Sequence, residues 1–218
     1  MRRPPIFATT VALAAALAGP PLLVLVSRRV FGDSTTLAIN ASLQTVYCGL
    51  AAFVIWIVRR REQLPLESIG IRRPNGSTVL SAVLLWAAIF YALPVLTAPL
   101  RNLVGSGDLQ MGMQNLARLP IWFRVIVGAT GGIVEEILYR GYAIERLAAL
   151  SGRRWLGATL AALAFGFAHV PAWGLGFALA ADLPFGIVMT VFYVWRRDLV
   201  ANMLVHSCAL TLAMLTRV

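Results

Sequence analysis

Seven apolar runs, at approximately residues 7–26, 42–58, 79–98, 121–145, 156–172, 175–195 and 199–216, occupy most of this chain. A hydrocarbon core of about 30 Å takes about 20 residues of helix to cross. Inside it the backbone N–H and C=O groups have no water to bond, so a run of that length satisfies them within its own helix. The runs therefore predict an all-α fold: a polytopic membrane helix bundle with about seven transmembrane helices. The connections at 59–78 and 99–120 are too small to fold alone, and no internal repeat or low-complexity segment is present. Residues 1–218 thus read as a single membrane domain.

Composition agrees with that solvent: 59% of residues are hydrophobic, 13% are charged and mean hydropathy is +0.78, far from the usage of a soluble domain. The net charge of +10 comes from 19 basic residues, all of them Arg. They lie in short clusters between apolar runs rather than along one face, which argues against nucleic acid as a partner. Their use is orientation. With the N-terminus in the cytoplasm, Arg2, Arg3, Arg59, Arg60, Arg61, Arg72, Arg73, Arg146, Arg153, Arg154, Arg196 and Arg197 share one side, against Arg28, Arg29, Arg101, Arg118 and Arg217. Arginine without lysine, beside much alanine, points to a GC-rich bacterial genome, hence a multi-pass protein of the bacterial cytoplasmic (inner) membrane. The opening "MRRPPIFATTVALAAALAG" has the basic start of a secretory signal, but its apolar stretch continues through "PPLLVLV" and reads as a retained helix. Cys48 and Cys208 each sit in an apolar helix without CxxC or metal spacing, and read as small core residues.

Against that background the stretch "GGIVEEILYRGYAIERL", residues 131–147, is unusual, because it keeps Glu135, Glu136 and Arg140 at membrane depth. An ionisable side chain at a helix centre costs about 2.5–3.5 kcal/mol on insertion scales, so such residues mark function by default. On a helix turning 100° per residue, Glu136 and Arg140 share a face at i, i+4 spacing and form an ion pair of mainly structural use. Glu135 is rotated by about 100° from Glu136. It is the carboxylate left to face a polar cavity and accept a proton from water. Gly128 and Gly132, one turn earlier, form a GxxxG step that predicts a close helix contact.

A general base needs partners that orient water and stabilise an oxyanion. The chain holds 2 His, so both are candidates: His169 in "FGFAHVPAW" and His206 in "NMLVHSCAL". Phe165, four residues before His169, would wall the site and hold the imidazole. Asn202, four before His206, could donate its amide hydrogen to the same cavity. The ordinary alternative for either histidine is a structural one, bonded to a backbone carbonyl. Asp182 precedes Pro184 and reads as a partner for backbone freed by a helix break.

These residues resemble the CAAX protease and bacteriocin-processing family of intramembrane proteases, which includes prenyl-protein endopeptidases. "EEILYR" is similar to its EExxxR motif, "FGFAH" to FxxxH, and a later helix supplies a further His, in the family's order; the resemblance covers roughly residues 79–218. It implies a helical bundle in which Glu135 and His169 activate a water, while His206 and a nearby Asn hold the carbonyl of a membrane-associated, in some members prenylated, peptide. It also implies a glutamate mechanism with no required metal or other cofactor. Zinc remains the alternative, since two His and a Glu are a known catalytic zinc set, although no HExxH is present and each donor is on a separate helix.

One position departs from the pattern: Leu210 stands four residues after the last histidine, where many relatives carry Asn or Asp. Asn202, one turn on the other side, is then the residue to take over that hydrogen bond. An oxyanion donor is worth about 2.7–4 kcal/mol in rate, so Leu210 keeps open a second reading, a catalytically silent membrane scaffold or a bacteriocin immunity or maturation factor on the same fold. A proton-coupled transporter would show inverted repeats or paired broken helices, and the chain has neither.

Overall fold

The computed structural model describes residues 5–32, 36–104 and 118–216. Its elements are helices, with no strand among the described residues: α1 (Ile6–Phe31), α2 (Leu37–Arg61), α3 (Gly76–Val104), α4 (residues 121–151), α5 (Arg154–Ala168), α6 (Val170–Arg196) and α7 (Leu199–Thr216). The all-α bundle is therefore as expected. By length and apolarity, however, five helices qualify as membrane spans: α1, α2, α3, α6 and α7. The expected seven is too many on those criteria for two physical reasons: α5 has only 15 residues, and the apolar part of α4 carries Arg124, Glu135, Glu136 and Arg140. Of the arginines counted for orientation, Arg2, Arg3 and Arg217 lie outside the described residues.

One helix boundary moves in a way that matters for the site. The run expected over 156–172 ends as a helix at Ala168, and α6 begins at Val170 with Pro171 in its first turn. Proline lacks the N–H that a helix interior uses but suits a first turn. His169 is thus a junction residue, not one in mid-helix. A second break follows at Gly174, whose φ of 79° and ψ of 161° belong to glycine. Three stretches widen to π-helix: Ile57–Arg61 in α2, Glu136–Ile144 in α4 and Ala178–Asp182 in α6. Such widenings favour functional sites, and the second begins at the acids.

The GxxxG expectation is met by α4 and α7. A methyl group on Gly132 would come within 2.5 Å of the Ser207 backbone nitrogen, and one on Gly128 within 2.6 Å of Thr211 Cα. Two glycines thus let the backbones of α4 and α7 touch, as small residues do where no hydrophobic force separates helix from lipid. With Gly132 against Ser207, the next turn of α4 brings the acids level with Asn202 and His206. Gly132→Ala should accordingly lower the unfolding temperature in detergent, by the equivalent of about 1–3 kcal/mol for overpacking. Gly49→Ala, on α2 with open space around it, should not; equal melting of the two variants would refute the close-contact role.

Two cores fill the bundle. The larger joins α1, α2, α4, α5 and α6 around Val54, Val58, Leu138, Tyr139, Ile144, Phe165 and Tyr193, and the smaller joins α3, α6 and α7 through Ala82, Met189, Phe192, Ala201 and Val205. At one end of the bundle, buried Glu62 accepts from Thr9 Oγ1 and Tyr142 Oη, each at 2.9 Å, and from Arg146 Nε at 2.8 Å. Arg146, counted from sequence among loop arginines, is consequently buried. Burying Glu62 without those three donors would cost several kcal/mol. The cluster ties the start of α1 and the end of α2 to α4, and so holds α4 in place below the acids.

Candidate active site

Glu136 is fully buried, and each of its oxygens has donors. Arg140 Nη1 lies 3.1 Å from Oε1, as the i, i+4 spacing requires. His206 Nδ1 is 2.8 Å from the same Oε1, and Asn202 Nδ2 donates to Oε2 at 3.1 Å. Arg140 is held in turn by the Gly186 carbonyl at 3.3 Å and by the Phe165 ring, whose centroid lies 3.9 Å from Cζ. The guanidinium, a buried cation over an aromatic face, therefore fixes α4 against α5 and α6. Sequence reasoning found the ion pair but missed that Glu136 also orients His206. No spacing rule connects residues 70 positions apart.

Glu135 faces the other way, into a cavity of about 820 Å³ that it lines together with His169, His206, Phe165, Asp182 and Leu210. Its Oε2 lies 3.5 Å from His206 Nε2 and 3.8 Å from His169 Nε2. Both distances exceed a good direct hydrogen bond. The two imidazoles are set by their other nitrogens. His169 Nδ1 is 2.8 Å from the Phe165 carbonyl, an acceptor only, so Nδ1 carries the proton. His206 Nδ1 faces the Glu136 carboxylate and is the protonated nitrogen for the same reason. In the neutral ring each Nε2 then presents a lone pair toward Glu135. Three acceptors converging on one point favour a donor there: a water, or a proton on one ring.

Aromatic rings exclude solvent around this point. The Phe165 centroid is 4.7 Å from that of His169 and 5.9 Å from that of His206, and Phe185 meets the His206 ring edge-on at 4.8 Å. Phe165 does what its spacing suggested, and lends its backbone carbonyl as well. Phe185 was not legible, because it belongs to no local pattern with the acids.

Asn202 is placed differently from the expectation that it donates into the cavity. It is fully buried, and its amide nitrogen donates to Glu136 Oε2 and, at 2.9 Å, to the Met189 carbonyl, which uses both hydrogens. Its position one turn before His206 was right for reaching the acids, but Glu136 stands nearer than the cavity. Asp182 lies on the cavity wall, at the end of the widened turn of α6. Cys48 and Cys208 are free thiols, and Cys208 is exposed rather than a core residue. Two imidazoles and a carboxylate are donors that zinc accepts; among the described residues no group of three or more such side chains is arranged to hold a metal ion.

Fold and site together define a multi-pass helical membrane protein with a carboxylate–imidazole cluster inside the bundle. Residues 117–211, a little under half of the chain, match the model of a family described as type II CAAX prenyl endopeptidase Rce1-like, a match that supports membership of the CAAX protease and bacteriocin-processing family. The matched stretch begins after α3, so it is narrower than the 79–218 expected, and it contains Glu135, Glu136, Arg140, Phe165, His169, Asn202, His206 and Leu210. No curated protein and no solved structure gives a significant match to the chain.

Proposed function

We propose that this chain is an intramembrane endopeptidase that hydrolyses a peptide bond of a membrane-associated substrate with a water activated by Glu135. The observation that carries the reading is the approach of His169 and His206 to one oxygen of Glu135 on a cavity wall. In the first step the water oxygen bonds to the scissile carbonyl carbon and its proton passes to the Glu135 carboxylate, with His169 Nε2 orienting the water. The carbonyl electron pair moves onto oxygen. His206, as an imidazolium hydrogen-bonded to the Glu136 carboxylate through Nδ1, donates from Nε2 to that oxyanion. Collapse of the intermediate re-forms the carbonyl and breaks the C–N bond, and the Glu135 proton goes to the departing amine. Water is consumed and no cofactor is needed.

Asn202 acts in this scheme as a positioning residue, since its amide steadies Glu136 and hence the ring of His206. The geometry that commits the Asn202 amide to Glu136 and Met189 leaves one competing reading: with Leu210 on the wall four residues after His206, the chain is a catalytically silent scaffold. Purified protein incubated with a panel of membrane-tethered and prenylated peptides, with and without chelator, separates these readings. Cleavage unaffected by chelation is the expected result. Cleavage lost on chelation and restored by zinc would replace the glutamate mechanism with a metal-bound water, whose pKa lies near 7. No cleavage across the panel would favour the scaffold.

A further inference from the structure

Glu62, Glu145 and Asp198 mark one end of the bundle, and each already has its donors. Arg146 Nη2 lies 2.7 Å from Glu62 Oε2, while Arg197 Nη2 and Arg154 Nη2 meet Glu145 at 2.6 and 3.4 Å. Asp198 accepts from Thr78 Oγ1 at 2.7 Å and from the Ala201 amide at 3.1 Å. These contacts gather the ends of α2, α4 and α6 with the starts of α3, α5 and α7. The connection 62–75 is laid over the same end, where the Leu199 amide donates to the Gly70 carbonyl at 2.8 Å and Arg146 Nη2 to Ser68 Oγ at 3.2 Å. Arg59, Arg60 and Arg61 form the last turn of α2, and Arg72 and Arg73 stand just before α3. All five are exposed, and among the described residues no carboxylate lies within ion-pair distance of any of them. Like charges crowded in this way repel one another, and anions from outside the protein relieve the repulsion.

Tryptophans set the depth of this charge. Trp56 in α2, Trp155 in α5 and Trp195 in α6 are 45%, 64% and 74% exposed, and each lies within about one turn of the same end. Arg61 Cζ is 5.3 Å from the Trp56 ring centroid, and Arg196 Cζ is 5.7 Å from that of Trp195. Exposed tryptophan at the end of an apolar helix belongs to the membrane interface, at the level of the lipid headgroups. A guanidinium over such a ring is held at that level, within reach of headgroup phosphates. Successive side chains of a helix point in different directions, about 100° apart in the α form. Arg59, Arg60 and Arg61 therefore fan around the end of α2 instead of converging on one point, which suits the phosphates of a leaflet better than a single bound anion.

We propose that Arg59, Arg60, Arg61, Arg72 and Arg73 form a binding surface for anionic phospholipid, with their guanidinium groups donating to headgroup phosphates. The surface is independent of the peptidase reading, because neither it nor its test involves Glu135 or the cavity. A lipid that binds the folded protein raises its unfolding temperature by mass action, and the dependence on lipid concentration gives an apparent Kd. The test is to melt the full-length protein in uncharged detergent with increasing phosphatidylglycerol, phosphatidylcholine or inorganic phosphate. The unfolding temperature should rise with phosphatidylglycerol and not with the other two, and the rise should shrink at high salt, which screens exposed charges. Each basic residue near an anionic surface contributes about fivefold in affinity, so the triple substitution Arg59→Gln, Arg60→Gln, Arg61→Gln should weaken phosphatidylglycerol binding by about 10²-fold and the double substitution Arg72→Gln, Arg73→Gln by about 25-fold. Arg29→Gln, exposed in the last turn of α1 at the opposite end, should bind as the wild type does. The double variant keeps the test decisive if the triple variant does not fold. An equal rise with phosphatidylcholine or inorganic phosphate, or an undiminished response of the variants, would overturn the proposal. So would stabilisation by polyglutamate in place of lipid, which would assign the surface to an acidic protein.

Discussion

Glu135→Gln should lower peptide cleavage by about 10²- to 10⁴-fold, the range a positioned general base contributes, while leaving the folded protein intact. The substitution keeps the shape of the side chain and removes its capacity to take a proton. Glu135 also has little structural work to lose. Its oxygen meets the two histidines at 3.5 and 3.8 Å, and its side chain is 12% exposed on the cavity wall. The loss should therefore fall on kcat with the unfolding temperature in detergent unchanged. Single-turnover cleavage together with a melting curve checks both. Cleavage retained at the wild-type rate would remove Glu135 from the chemistry and leave the cluster without its base.

Arg140→Ala should do the opposite, costing stability before chemistry can be measured. Its side chain and that of Glu136 are both 0% exposed, and removing one partner of a buried pair costs about 3–5 kcal/mol because the remaining charge stays buried. Two further contacts disappear with it, the Gly186 carbonyl and the face of Phe165. The expected result is a large fall in folded yield and in unfolding temperature. Arg154→Ala is the comparison: its side chain is 38% exposed in its pair with Glu145, and exposed pairs contribute about 0–1 kcal/mol. Equal stability of the two variants would show that the buried pair does not hold α4 against α5 and α6.

Much of the architecture was legible because a bilayer imposes a strict rule on sequence. Each of the seven apolar runs coincides with one of the seven helices among the described residues, apart from the last residues of 156–172, since backbone polar groups in hydrocarbon must be bonded within the run. The places where reading failed are places where local rules compete. Pro171 moved the α5–α6 boundary, and the charges of α4 and the shortness of α5 removed two helices from the set that qualifies as spans. Counting 1.5 Å per residue from the starts of α5 and α7 sets His169 about 10 Å farther along its helix than His206, yet both rings approach the same oxygen of Glu135. Such counting assumes parallel helices that start level, which the chain does not specify.

The sequence by itself determined the solvent, the helices, the i, i+4 pairing of Glu136 with Arg140, the glycine step of α4, and a short set of polar residues whose presence at membrane depth demanded a reason. Those properties depend on residues within one or two turns of each other, where helical geometry alone fixes who can touch. Only the tertiary structure decided that Glu136 holds His206 and Asn202 as well as Arg140, that the Asn202 amide is spent on Glu136 and the Met189 carbonyl, and that α3, α6 and α7 share a core of their own. Each depends on which face of one helix packs on another and at what height. That choice is made by side-chain volume and backbone approach between distant segments, as where Gly132 lets Ser207 close on α4, and no periodicity along the chain encodes it.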